Sequence, residues 1–498
     1  MKKVLLVSLL LVLSINVFSQ TAEAPSAGDG SSGNPYQIST WQNLYWLSQN
    51  DTYYKYCIQT NDINFGEAEP KIQTWDSLRG FTPLYLHSYN GKGFSIDSLY
   101  INRPTKNSVG LFQSTPRWSD IDSLTLTNVN VTGLDYVGGL CGSIMGSVKD
   151  CHVSGNVTGD SYVGGLVGVN STEEMQFEEI RNSVSTCNVT GIDYVGGLVG
   201  INGSGIYDSH STNAIIQGVQ YVGGFVGRTS YDMIDQAQYE ILRCFAANEV
   251  RGNTMVGGFV GENSGTIQDC FSKGDVNVET DIDNSCGGFC GRARYTNGIV
   301  NCYSTGSVNY NFSDPIDKGF LGTLASDPPI LQSNFFDNES SNQLTDLNNA
   351  ATGIPTGEMQ TASTFTDAGW DFVGETTNGT DDFWDINGVT NGGYPFLSWM
   401  STSIDNQQLT INNYELHQNY PNPFNPVTTI SFSIQKIQNV KLSVYNSNSQ
   451  LVQELINEKL SSGNHSVFFD AQNLNSGIYF YTLQVDDKRM SNKMLFIK

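Results

Sequence analysis

One heptapeptide recurs along the chain and limits its fold more than any other feature. It reads YVGGLCG from Tyr136, YVGGLVG from Tyr162 and Tyr194, YVGGFVG from Tyr221, MVGGFVG from Met255 and SCGGFCG from Ser285. KGFLG from Lys318 is a weaker copy, and SVGLF from Ser108 a degenerate first one. A second motif lies between copies: DCHVSGNVTG from Asp150, DCFSKGDVNV from Asp269 and NCYSTGSVNY from Asn301. Both are short, β-branched and punctuated by glycine, which means strands joined by tight turns. Nothing between them has helical periodicity. Two short strands per roughly 30 residues, repeated about seven times, predict a parallel right-handed β-helix, one repeat per coil.

Stacked coils turn alignment columns into ladders. The fifth heptad position, Leu140, Leu166, Leu198, Phe225, Phe259 and Phe289, should point inward. The paired glycines suit a sharp bend or a close backbone approach. The position after each heptad ends in Arg228, Glu262 and Arg292 on three successive coils. Those three are either a surface ion ladder or a charged stripe that grips a ligand. Cys151, Ser183, Ser209, Cys244, Cys270 and Cys302 fall in one column, and Cys141 and Cys290 share another with four valines. Exchange with Ser or Val reads as small buried fillers with free thiols. A zinc site lacks the paired spacing it needs, since no C-x2-C occurs.

The ends differ from the middle. Lys2 and Lys3 precede an apolar run from Val4 to Leu13, and Val17 and Ser19 supply small residues, so residues 1–19 read as a signal peptide cleaved between Ser19 and Gln20. Residues 20–412 carry 43 acids and 16 bases, whereas residues 413–498 carry six acids and seven bases. Two units of different character therefore meet near residue 405. A net charge of -24 argues against a nucleic-acid partner. After a polar linker at 401–412, three prolines within six residues (Pro421, Pro423, Pro426) introduce alternating runs that predict about seven strands in an immunoglobulin-like β-sandwich.

The heptads followed by N-x-x-x-[IV]-x-[DN]-C-[YF]-S-x-G-x-V resemble GLUG repeats, clearest in GTIQDCFSKGDV from Gly265. The resemblance spans residues 108–335 and implies an exported bacterial surface protein. GDGSSGNPYQISTWQNLYWLSQN from Gly28 is similar to the lead-in of such proteins, and residues 20–107 are expected to form an N-terminal cap with first coils. There Thr40 can cap a short helix bearing Trp41, Leu44, Tyr45 and Leu47. EMQTASTFTDAGWDF from Glu358 and GGYPFLSW from Gly392 resemble the closing segment of the same family, and residues 336–400 are expected to form a C-terminal cap. Its Phe365, Trp370, Phe372, Trp384, Phe396 and Trp399 are either packing or an aromatic sugar platform. QNYPNPFNP, SGIYFYTL and the terminal KMLFIK resemble the type A sorting domain of type IX secretion, over residues 413–498. That resemblance implies transit across an outer membrane by the secretion machinery, followed by release or attachment at the cell surface.

Catalytic signatures are missing from the sequence. It has five histidines, no HExxH and no G-x-S-x-G elbow. DDFWDING from Asp381 matches a calcium loop only in part, because Phe383 stands where the first ligand belongs. No cofactor is expected, although exposed carboxylates could bind calcium weakly. The expectation is a non-enzymatic β-helix protein, secreted or surface-anchored, that serves adhesion or binds an extracellular glycan or surface protein. The alternative is a polysaccharide lyase or glycoside hydrolase on the same scaffold, which would need a carboxylate cluster beside Arg228 or Arg292.

Overall fold

The computed structural model describes residues 20–50, 52–68, 71–171, 179–230, 240–280, 285–294, 298–311, 315–325, 330–346, 349–402, 414–416, 419, 421–434, 438–446, 450–460, 463–485 and 488–498. Ser19, like the rest of the expected signal peptide, lies outside them. The chain divides into Met1–Thr402 and Ser403–Lys498.

The first unit is a β-solenoid of about eight coils, built from parallel sheets of eleven, fourteen, six and eight strands. A coil has four short strands where the sequence motifs suggest two. One coil runs Asp120–Asp122, Thr125–Thr132, Asp135–Gly138 and Cys141–Ile144 before the next begins at Ser147. The extra corners come from residues held at positive φ. Asp150, Asn182, Asp208, Arg243, Asp269 and Asn301 sit at φ of 49–54°, each just before the cysteine column. Asp and Asn tolerate that conformation better than most side chains. Tyr136, Tyr162, Tyr194, Tyr221 and Met255, at 53–59°, bend the heptad strand in the same way.

The heptad glycines let backbones touch. In the Tyr194 copy, a Cβ on Gly196 would lie 2.0 Å from the Val199 carbonyl oxygen. One on Gly197 would lie 2.1 Å from the Gly224 oxygen in the next coil. One on Gly200 would lie 2.6 Å from the Gly168 oxygen in the coil before. The two strands of the heptad therefore fold against each other with no room for a side chain.

Inside, the expected ladder is present. Leu140, Leu166, Leu198, Phe225, Phe259 and Phe289 are all fully buried. The phenyl rings from Phe225 to Phe320 stack at centroid distances of 4.7–4.9 Å. The cysteine column is in register and does more than fill space. Ser183 Oγ accepts from Cys151 N at 3.3 Å, Ser209 Oγ from Ser183 N at 3.0 Å, and Cys270 Sγ from Cys244 N at 3.3 Å. Each side chain also donates to the carbonyl two residues before it in the chain, as Cys270 does to Gln268 at 3.2 Å. Only a small side chain that both donates and accepts fits, hence Cys and Ser. All nine cysteines are free and buried, and burial pushes the thiols of Cys141, Cys151 and Cys187 up to about 12.

The N-terminal end is covered as the sequence suggests. Helix Trp41–Ser48 is capped by Thr40, whose Oγ1 accepts from Asn43 N at 3.3 Å, and it buries Leu44 and Leu47. At the other end, Phe335–Asp337 and Thr352–Ile354 close the fourteen-stranded sheet. Residues 355–402 then do what a simple end cap would not: they run back along the outside of that sheet. Trp370 Nε1 donates to Ser333 O (2.9 Å), Trp384 Nε1 to Asp269 Oδ1 (3.0 Å) and Trp399 Nε1 to Arg243 O (3.2 Å), each step reaching an earlier coil. Beneath this cover lies an outward ladder of His210, Phe245, Phe271 and Tyr303, stacked at 4.6–5.0 Å. Phe365, Trp370, Phe372, Trp384 and Phe396 are buried in packing and Trp399 is half-buried. An exposed sugar platform is thereby overturned for the five buried rings. Residues 401 and 402, expected in the linker, belong to helix Trp399–Thr402; 403–412 lie outside the described residues.

The second unit has two antiparallel sheets of three and four strands around one apolar core that includes Ile430, Phe432, Leu442, Tyr481 and Phe496. Among the described residues no helix is long and apolar enough to cross a membrane.

Two outcomes follow from this packing. Gly197→Ala should lower stability by about 1–3 kcal/mol in denaturant unfolding through overpacking, whereas Gly357→Ala, with open space at its Cβ, should not. His210 stacks under Trp399 with its Nδ1 buried and unpartnered among the described residues. Burial, assisted by the charge of His152, pushes it down to about 3. The folded state then refuses a proton that the unfolded state accepts. His210 therefore contributes stability above pH 6.5 that is lost as pH falls toward 3. Tryptophan-fluorescence melts of His210→Phe at pH 7 and pH 4 should show a smaller acid loss than the wild type.

Candidate functional site

The outer edge of the heptad strands carries the most organised exposed chemistry in the solenoid. The first heptad position places Tyr136, Tyr162, Tyr194 and Tyr221 in one column, with ring centroids 4.6–4.9 Å apart and interplanar angles of 2–9°. The register comes from parallel pairing on both sides of each tyrosine, Asp135 with Ser161 and Val137 with Val163 in the first pair. The rings are half-buried. They occupy one another's faces, so their edges and hydroxyls form the surface. Burial pushes the Tyr162 and Tyr221 phenols up, which keeps them neutral donors at physiological pH.

The column beside the tyrosines is the one after each heptad. It begins with Ser143, Val169 and Ile201 and continues with Arg228, Glu262 and Arg292, paired in direct register. All three predicted charged residues therefore meet on one face. Glu262 is fully buried, which a plain surface ladder would not require. Arg292 Nε donates to its Oε2 at 2.6 Å, and the Arg292 terminal nitrogen also contacts Oε2. Arg228 Nε lies 3.0 Å from Oε1 as an ion contact out of line for a hydrogen bond. Arg294, which the sequence reading did not include, brings Nη1 to 3.6 Å from Oε1. Three guanidinium groups thus share one carboxylate. All three keep 23–31% of their side-chain surface in water. The Arg228 guanidinium also lies over the rings of Tyr194 and Tyr221, at 5.9 and 5.7 Å, within cation–π range.

Among the described residues the stripe thus runs along the stack from four tyrosines to three guanidinium groups around one carboxylate, on a chain of net charge -24. It offers hydroxyl donors at a strand-spacing repeat, then guanidinium donors suited to carboxylate or sulfate groups. The tyrosines were visible in the sequence as the first letter of the repeat. Their exposure was hidden, because strand alternation broken by a positive-φ residue no longer tells in from out. A second ion ladder was missed entirely. Arg181 joins Glu179 and Asp208 at 2.9 Å each, and Asp208 holds Arg243 at 2.6 Å. Irregular loop lengths between its members concealed that column. His152 is half-buried beside the fully buried Cys151, as expected for neighbours on opposite sides of a strand. Among the described residues the carboxylate paired with Arg228 and Arg292 is Glu262, and it is engaged by arginines. Among the described residues no three His, Cys, Asp or Glu gather as a metal-binding group.

Glu262→Ala should cost about 3–5 kcal/mol, since it strands three cations around a buried void. Arg294→Ala should cost under about 1 kcal/mol, because that pair is long and partly exposed. Urea unfolding of the two variants measures both.

Comparison with known proteins bears on both units. Residues 418–498 match the family described as the secretion system C-terminal sorting domain, and residues 133–158 and 252–277 match the GLUG motif. Halomucin of Haloquadratum walsbyi is 34% identical over 131 residues, which is 26% of this chain and 1% of halomucin. No solved structure matches. The chain therefore carries GLUG repeats and a type IX sorting domain. That domain directs export across the outer membrane, to the cell surface or the extracellular space, through the type IX machinery.

Proposed function

We propose that this exported GLUG-repeat protein is a non-enzymatic adhesin that binds an extracellular glycan bearing acidic groups along the tyrosine–arginine stripe. The observation that carries this reading is the stripe itself: four stacked, half-buried tyrosines leading into three solvent-reaching arginines around Glu262. A polymer lying along the stack meets hydroxyl donors first and guanidinium donors after. The likeness to part of a protein named halomucin accords with a surface role. The sorting domain supports delivery to the place where such a ligand is found.

The purified mature protein is to be incubated with insoluble acidic and neutral polysaccharides of plant, algal and host origin. Retention and the release of new chain ends are both followed. Retention on acidic polymers is expected, weakened by salt because surface charge is screened. Tyr194→Asn, which keeps a residue tolerant of positive φ, should reduce it roughly tenfold, as loss of a cation–π and hydroxyl contact would. Retention unchanged in that variant would sink the stripe as the binding surface. New chain ends would replace the adhesin with a carbohydrate-active enzyme. No retention on any polymer would leave a protein ligand as the alternative.

A further inference from the structure

Three consecutive non-glycine residues near the start of the solenoid are held at positive φ: Asp76 at 44°, Ser77 at 57° and Leu78 at 73°. L-residues adopt that conformation at a cost, and ordinarily one at a time. The surroundings hold the turn in place. Trp75, just before it, is buried against Trp41, Tyr45 and Phe65. Just after it, the amides of Arg79 and Gly80 donate back to Trp75 O at 3.0 and 3.1 Å. Arg103, which follows strand Tyr100–Asn102, ties down the turn itself. Its Nη2 donates to Asp76 Oδ2 at 2.7 Å and to Thr82 Oγ1 at 2.9 Å, and its Nε to Phe81 O at 3.3 Å.

The turn forms one wall of a cleft of about 290 Å³, and residues 102–106 form the other. The lining carries three bases, Arg79, Arg103 and Lys106, and no acid, with Ser77, Asn102 and Thr105 as further polar groups. Residues 20–412 hold 16 bases against 43 acids, so this concavity reverses the sign of its surroundings. Asp76 binds Arg103 from outside the lining and reaches Arg79 only at 4.0 Å. Arg103 keeps 11% of its side-chain surface in water, and its Nη1 has no partner among the described residues. Two N–H donors on a fixed guanidinium are therefore left for whatever occupies the cleft. Lys106 forms no ion pair among the described residues. A cleft lined by one sign of charge concentrates ligands of the other.

The second wall runs directly into the tyrosine stripe. Lys106 O accepts from Leu134 N at 2.8 Å, Ser108 N donates to Asp135 O at 2.8 Å, and Val109 pairs with Val137. Ser108 thus stands one coil before Tyr136, at nearly the same φ (58° against 59°). Parallel pairing then steps from Val109 to Val137, Val163, Val195 and Val222, the coil of Tyr221 and Arg228. Four steps at ~4.8 Å place the cleft's coil roughly 19 Å from the arginine end. Building on the glycan reading above, we propose that the cleft between Ser77–Arg79 and Asn102–Lys106 binds one acidic sugar unit, carboxylated or sulfated, of the polymer that lies along the stripe. Guanidinium forks suit either oxyanion, and Lys106 adds a point charge. Ser77, Asn102 and Thr105 supply donors and acceptors for ring hydroxyls. The volume is at the lower end for small-molecule sites, which fits one ring rather than a chain.

Calorimetric titration of the protein lacking only its signal peptide uses glucuronic acid, glucose 6-sulfate, glucose and inorganic sulfate as probes. Saturable binding of at least one acidic sugar is expected, at least tenfold tighter than glucose or inorganic sulfate and weakened by salt. The acidic sugar that binds more tightly tells carboxylate from sulfate. Arg79→Gln and Lys106→Gln should each weaken binding roughly tenfold, as loss of a charged hydrogen bond does. Thermal melts like the wild type's are expected of both, because their side chains make no hydrogen bond within the fold among the described residues. Lys459→Gln, exposed on the second unit, should change nothing. Tyr194→Asn should leave monosaccharide binding intact while loosening polymer retention, so cleft and stripe fail separately. Retention that still depends on Tyr194, with no saturable binding of either acidic sugar, would overturn the cleft and keep the stripe. Acidic-sugar binding unchanged in the Arg79→Gln, Lys106→Gln double variant would place that site elsewhere on the chain. Inorganic sulfate bound as tightly as the acidic sugars would overturn sugar recognition there.

Discussion

Backbone contact at the heptad corner is the constraint from which the rest of the solenoid follows. Three glycines per repeat allow one strand to fold onto the next, with carbonyl oxygens where a Cβ would stand. With that corner collapsed, the fifth heptad residue has only the interior to enter. The Leu-to-Phe column therefore becomes a continuous inner stack. The first residue is forced to positive φ and turns out to the surface, where tyrosine meets tyrosine at the strand spacing. One steric requirement thus sets both the core and the most organised exposed stripe.

The second motif solves a different problem, the satisfaction of buried backbone. Cys151, Ser183, Ser209, Cys244, Cys270 and Cys302 form a column in which each side chain donates to the carbonyl two residues before it, and Ser183, Ser209 and Cys270 also accept from an N–H of the coil before. Asn334 extends it by accepting from Cys302 N at 3.0 Å. That polar duty explains why Ser replaces Cys there, whereas Val replaces Cys in the Cys141 column, where a buried apolar filler is enough. Free thiols so deeply placed are held far from the thiolate form, consistent with their persistence in a protein exported to an oxidising space.

Stacking also creates surplus apolar surface, and the chain deals with it locally. From Phe245 onward the outward column of the fourteen-stranded sheet is aromatic, and residues 355–402 return to cover it with Trp370, Trp384 and Trp399. Among the described residues no segment packs over the tyrosine stripe as residues 355–402 do over the other column. The tyrosine rings bury one another's faces and present hydroxyls, so the stripe needs no cover. The contrast separates an aromatic column that is structural from one available to a ligand.

The repeat, its register, the inward ladder, the cysteine column and the meeting of Arg228, Glu262 and Arg292 could all be read from the sequence, because in-register stacking converts alignment directly into space. The Thr40 cap and the sorting domain were legible for a similar reason, being short local patterns. The four-stranded coil was not, since positive-φ residues such as Asp208, which separates two strands, and Tyr194, which bends one, act without any change in composition. Arg294 and the Asp208 ladder depended on loop lengths that vary between repeats. The return of residues 355–402 depended on contacts more than a hundred residues apart, Trp384 with Asp269 and Trp399 with Arg243. Local periodicity determined the coil. Burial of what the coil left exposed was decided only when distant segments met in three dimensions.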